Sequence, residues 1–287
     1  MSIFKNIHTK YKYASIVERF IYINVAIFIF VFVFKTFGFL FESNGNLIID
    51  WFSLPATFSD FLTKPWTLIT YGFLHASFIH ILLNLIALYF IGNLFVQYFT
   101  PKQFVTFYVL GTIFGGLIFL LSYNFFPVLS KTASFSVLLG ASAGISAIFI
   151  GIATYMPNYQ LKIRFIGFVK LWYLAAIWVG LDIIQIPAGN AGGHLSHIGG
   201  ALFGFWYVSN ANTIKINIWS TVLSFLKTKQ KPLKTVYRSK QKTTSTSRKN
   251  KDKHQQKIDI ILDKISKSGY DTLTKEEKTF LFQQGKK

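Results

Sequence analysis

Apolar residues run along this chain in blocks, near 20–40, 75–97, 104–126, 137–156, 166–187 and 193–210, separated by shorter polar stretches. A helix rises about 1.5 Å per residue, so about twenty residues cross a hydrocarbon core of about 30 Å. The blocks predict six membrane-crossing helices and an all-α membrane protein, with no barrel-like alternation. Between the first two blocks, Trp51, Phe52, Leu54, Phe58, Phe61, Leu62 and Trp66 are spread irregularly. That spread predicts a loop half-sunk in the membrane interface.

The pattern changes after residue 210. Residues 211–257 read as a basic flexible linker, because 227–257 is rich in Lys, Ser, Thr and Gln and cannot bury a core. Beyond it, Ile258, Ile261, Leu262 and Ile265 fall on one helical face, which SGYD ends. Thr274 with Glu277 three residues on forms a capping box for a second helix carrying Phe280 and Leu281. Residues 258–285 thus predict a small helical hairpin. The N-terminal segment 1–19 is polar and lacks a small-residue cleavage site before the first block, so that block reads as a retained span.

Composition agrees: of 287 residues, 52% are hydrophobic and only 14% charged, and the absence of cysteine excludes disulfides and thiolate chemistry. The net charge of +19 is unevenly placed. Nineteen of the 30 Lys and Arg lie after residue 210 and four before residue 20. The positive-inside rule then puts both termini in the cytoplasm. The basic linker is expected on anionic lipid headgroups rather than on nucleic acid, since no aromatic reading surface accompanies it.

In this orientation spans two, four and six all run inward from the outer face. His75, His80 and Asn84 lie early in the second, Ser142 early in the fourth, and His194 and His197 early in the sixth, so these polar groups share one depth. Groups there are costly unless they face a protein interior or a wet cavity. His80 and Asn84 are four apart and share a helix face. Ser142 is flanked by Gly140, Ala141, Ala143 and Gly144, and His197 is in line with Gly200 and Gly204. A stripe of Gly140, Gly144, Ala147 and Gly151 facing the Gly200/Gly204 stripe would let the two helices approach closely and bring Ser142 to His197. A serine beside a base is an activated nucleophile. His75 and His194 read as structural, bonding the outer loops.

Four histidines could instead suggest a metal site. No HExxH occurs, and the single acid inside a span, Asp182, lies near the end of the fifth, so the reading is of no metal and no cofactor. A transporter is disfavoured because no span has paired acids and no internal repeat is visible.

HASFIHILLN, GASAG and HIGGALFG resemble, in order and span number, the HxxxN, GxSx and HxxG elements of the rhomboid intramembrane serine proteases, over roughly residues 15 to 210. The resemblance implies a six-helix rhomboid-like bundle in a bacterial inner membrane, cleaving single-pass membrane proteins. It implies Ser142 as nucleophile, His197 as general base in a dyad without a carboxylate, and His80 and Asn84 with the Ser142 N–H as oxyanion hole. The hairpin looks like a tail on related bacterial members. Ala143 stands where many such members have glycine, and Thr67 follows Trp66 where an arginine is common. A catalytically silent relative that binds membrane helices is the alternative; it typically loses the serine or histidine retained here.

Overall fold

The computed structural model describes residues 11–42, 47–210 and 246–284, with side chains in the last segment from residue 255 to 283. It divides into two compact units, one ending at Ser224 and the other beginning at Phe225.

The first unit is a bundle of six main helices: α1 (Ile16–Leu40), α2 (Phe78–Phe95), α3 (Pro101–Phe125), α4 (Ser142–Tyr155), α5 (Leu171–Gln185) and α6 (Ala191–Ser209). Side-chain oxygens of Ser15, Ser77 and Thr100 cap the starts of α1, α2 and α3, satisfying amides that a helix N-terminus leaves without partners. Among the described residues, four helices are long and apolar enough to cross a membrane: α1, α2, α3, and α5 with its extension to Ala188. Their outer faces carry exposed Ile29, Phe30, Phe34, Phe37, Ile177 and Ile184, a surface made for lipid. This is a helical membrane bundle.

The fourth block departs from its expected length. Helix α4 has 14 residues, about 21 Å at the usual rise, and starts at Ser142 rather than near 137. It falls short of a hydrocarbon core because its neighbours encase it: every residue from Ala143 to Ala153 is buried. Its N-terminus is therefore recessed in the bundle. Leading into it, Val137–Leu138 (β2) pairs antiparallel with Leu54–Pro55 (β1) of the first loop. The Ala56 N–H donates to the Ser136 carbonyl at 3.1 Å, so the loop is tied to the segment that carries Ser142.

A second departure is a hairpin, Gln160–Ile163 (β3) against Gly167–Lys170 (β4). Residues 166–170, expected in the fifth span, belong to this hairpin, and the helix starts at Leu171. Lys162 and Arg164 sit on it, over the rings of Phe168 and Phe165.

In the first loop Trp51 and Trp66 stack at 6.0 Å, and the Trp66 indole N–H donates to the Trp51 carbonyl at 2.8 Å. Thr67 Oγ1 is buried and donates to the Lys64 carbonyl at 2.6 Å. Thr67 thus ties this part of the loop to its own backbone.

The core of the bundle is aromatic and β-branched: Phe20, Phe95, Phe104, Phe107, Tyr108 and Phe203 pack with Ile145, Ile148 and Ile152 of α4. Edge-on aromatic contacts, such as Phe20 with Tyr108 at 4.8 Å, suit the ring quadrupoles.

The second unit is described from α7 (Thr246–Ser268), a turn at Tyr270–Thr272, and α8 (Lys275–Gln284). The N-terminal part of α7 occupies residues expected in the linker, because Lys, Arg and Gln are good helix formers and extend a helix nucleated by the Ile258–Ile265 stripe. Residues 211–245 of the expected linker and 1–10 of the N-terminal segment lie outside the described residues. Ile261 and Leu273 are buried, whereas Leu262, expected on the inner face, is half exposed. Gly269, at φ +82°, ends α7, and Lys264 pairs with Glu277 at 3.0 Å.

Candidate active site

Three helix N-termini converge on one cavity of about 580 Å³, lined by residues including His80, Asn84, Ser142, Trp178, Asn190 and His197. Ser142 is the first residue of α4, so its backbone N–H and those of the next residues have no intrahelical acceptor. His197 lies two turns into α6 and points its Nε2 at Ser142 Oγ, 2.7 Å away.

Close approach of α4 and α6 makes that distance possible. A Cβ on Gly200 would run into the Ala143 carbonyl, and one on Gly204 into the Ala147 carbonyl. The Gly200/Gly204 stripe therefore rests directly on the α4 backbone. The partner stripe differs from expectation. Gly144 faces α3, where a Cβ would lie 2.8 Å from the Tyr108 carbonyl, and Gly151 faces Phe107 of the same helix. Helix α4 is sandwiched between α3 and α6: Gly144, Gly151 and the methyl groups of Ala143 and Ala147 meet α3, whereas the Ala143 and Ala147 carbonyls meet α6. Alanine at 143 is compatible with the closest contact because its backbone, not its side chain, meets Gly200.

Gly140 does not face α6 either. It precedes α4 at φ +134°, a conformation that favours glycine, and a Cβ there would lie 2.9 Å from His80 Nε2. Its N–H donates to the Tyr71 carbonyl at 3.0 Å, joining the segment that leads into Ser142 to the segment before α2. Tyr71 is fixed in turn by donating to the Thr112 carbonyl at 2.6 Å.

His80 and Asn84 both face the cavity. The Ala76 N–H approaches His80 Nδ1 at 3.5 Å, which makes Nδ1 the acceptor and leaves the proton on Nε2, toward Gly140 and Ser142. The Asn84 amide donates one hydrogen to the His80 carbonyl at 2.8 Å and has a second to offer.

Two expectations for the histidines and Asp182 need correction. Asp182 of α5 is buried, and its Oδ1 lies 2.8 Å from His197 Nδ1, so His197 has a carboxylate behind it. His194 does not bond an outer loop: its Nδ1 lies 2.8 Å from the same Asp182 oxygen. His75 is buried with neither ring nitrogen hydrogen-bonded, its ring set edge-on to that of His80 at 5.1 Å. The sequence signal for Asp182 was its position as a lone acid within an apolar span; its partner depended on how α5 is rotated against α6. Trp178, also missed, lines the cavity and donates to Ser146 Oγ at 3.1 Å. No sequence pattern distinguishes it from a lipid-facing tryptophan.

The Rhomboid domain family matches residues 62–210, just over half the chain. The chain belongs to the rhomboid family. A second match, to a family of unknown function (DUF6576), covers residues 246–287, the helical hairpin of this rhomboid. Similar proteins include RHOMBOID-like protein 12, mitochondrial, of Arabidopsis thaliana, 29% identical over 144 residues, 47% of this chain and 43% of that protein. Presenilin-associated rhomboid-like protein A, mitochondrial, of Danio rerio is 28% identical over 160 residues, covering 55% and 39%. The mouse Presenilin-associated rhomboid-like protein, mitochondrial, is 29% identical over 167 residues, covering 56% and 41%. The rhomboid thus spans less than half the length of these relatives. All three carry mitochondrial names, which lends nothing to the expected bacterial inner membrane.

Proposed function

We propose that this rhomboid is an intramembrane serine endopeptidase that cleaves the membrane-spanning segments of other proteins. The observation that carries the reading is the 2.7 Å approach of His197 Nε2 to Ser142 Oγ at a recessed cavity. In this reading Asp182 accepts the Nδ1 proton of His197, which holds the tautomer with a lone pair on Nε2. That nitrogen takes the Ser142 proton as Oγ attacks a substrate carbonyl, and returns it to the leaving amine. Asp182 is a positioning residue; Ser142 and His197 perform the transfer.

The developing oxyanion would be met by the Ser142 N–H, by His80 Nε2–H and by the free hydrogen of Asn84. Donors held rigidly in a site of low dielectric stabilise such charge strongly, and losing one typically costs about 100-fold or more in rate. A substrate helix hides its carbonyls in its own hydrogen bonds, so it must unwind locally before attack. The recessed cavity suits that unwound segment and would admit hydrolytic water.

Sidedness follows from charge: we place both lysine-rich ends on the cytoplasmic face, the cavity toward the opposite one, and the basic stretch after residue 210 against anionic headgroups. The chemistry needs no metal or cofactor. The test is cleavage of a transmembrane reporter by purified protein in liposomes with a chelator present, comparing wild type, Ser142→Ala and His197→Ala. Chelator-resistant cleavage absent from both variants is expected; cleavage by the Ser142 variant would reject the nucleophile. If wild type cleaves nothing, failure of a fluorophosphonate probe to label Ser142 would favour a silent helix-binding protein.

A further inference from the structure

His194 and His197 are three residues apart on α6, and both turn Nδ1 to one oxygen of Asp182. One such hydrogen bond would suffice to orient His197. The second imidazole has no part in proton transfer to or from Ser142, and it completes a different set. One ligand atom from each of Asp182, His194 and His197 lies within 4.8 Å of the others.

We propose that these three residues form an inhibitory site for a divalent transition-metal ion of the zinc type. Two imidazoles and one carboxylate are a donor set that such ions favour, whereas magnesium prefers oxygen alone. Tetrahedral zinc with bonds of about 2.0–2.2 Å sets its ligands about 3.4 Å apart. The two 2.8 Å contacts would open by about half an ångström, and water would take the fourth position. The site is reachable, because the side chains of His194 and His197 keep 14% and 20% exposure and His197 lines the cavity.

Inhibition follows from the tautomer. A neutral imidazole that gives its Nδ1 lone pair to a metal must carry its proton on Nε2. His197 Nε2 would then donate to Ser142 Oγ instead of accepting from it. The base is lost without displacing any residue. This consequence rests on the proteolytic reading above; the binding does not.

The test separates the two. Zinc binding to full-length Ser142→Ala protein in detergent is measured by equilibrium dialysis, and cobalt binding by its visible absorption. One equivalent is expected, weakened about tenfold or more in Ser142→Ala proteins that also carry His194→Gln or His194→Phe, with no uptake of magnesium. The glutamine can still donate to Asp182, and the phenylalanine keeps the ring volume, so two independent replacements guard against a folding artefact. In parallel, zinc is titrated into reporter cleavage by wild type and His194→Gln. Cleavage by wild type should fall to background, and the variant should need about tenfold more zinc.

Absence of stoichiometric binding, or binding undiminished in both His194 variants, would overturn the site. Stoichiometric binding that leaves cleavage unchanged would overturn the inhibitory role. A protein that never cleaves but binds zinc through His194 would retain the site and lose the proteolytic reading.

Discussion

The carbonyl of Ala143 sits where a side chain on Gly200 would have to be. This contact sets the spacing of α4 and α6, and through it the 2.7 Å distance between Ser142 and His197. Membrane helices gain little from burying apolar surface against one another, since lipid is as apolar as leucine; close packing of small residues replaces that drive.

Gly200→Ala should therefore push the helices apart. Overpacking of this kind costs about 1–3 kcal/mol, and the Ser142–His197 distance should lengthen with it. A lower thermal midpoint together with at least a tenfold loss of cleavage is expected. An active, unshifted variant would show that the α4 backbone yields more than the packing suggests.

Gly140→Ala acts differently. The position has φ +134°, and its Cβ would press on His80 Nε2. Such backbone strain costs about 1–3 kcal/mol, and the displaced imidazole should weaken oxyanion stabilisation. Cleavage should fall mostly in kcat, with KM near that of wild type.

Asp182→Asn removes the carboxylate behind His197 but keeps the side-chain shape. We expect kcat to fall about 10- to 100-fold, part of the about 10²–10⁴ that a general base contributes, with KM unchanged. Labelling of Ser142 by a fluorophosphonate should slow in parallel. A purely structural role would instead lower the folded fraction and leave the kcat of folded molecules intact.

The hairpin offers a pH-dependent test. The Thr274 N–H, which donates to Glu277 at 2.8 Å, and then Lys264 hold the Glu277 carboxyl below its usual value. A depressed folded value means that this contribution to stability is fully present above the unfolded value, about 4.3, and is lost as pH falls through the lower folded value. Protection of the α8 amides in the full chain, taken as exchange relative to the intrinsic rate at each pH, should fall below about pH 4. In Glu277→Gln that protection should be lower at neutral pH and nearly independent of pH across that range.

Deleting residues 227–287 should leave reporter cleavage in detergent largely intact, because the described site residues all belong to the bundle. A folded, monodisperse truncation without activity, beside an active full chain, would make the second unit necessary for cleavage.

Much of this molecule is written in local pattern. Apolar blocks of bilayer length gave six helices, because a backbone in hydrocarbon must satisfy its own hydrogen bonds. Polar residues early in three of those blocks singled out Ser142, His197, His80 and Asn84 as candidates, since burying such groups without purpose is costly. The capping pair Thr274 and Glu277 was legible because it spans three residues. What needed the tertiary structure was everything set by rotation of one helix against another. Periodicity alone does not distinguish the face of α4 that meets α3 from the face that meets α6, so Gly144 was assigned to the wrong neighbour. The partnership of Asp182 with both His194 and His197 joins residues 12 and 15 apart across an interhelical turn. No sequence period encodes that contact. The angle between α5 and α6 decides it, and that angle is the outcome of packing over the whole bundle.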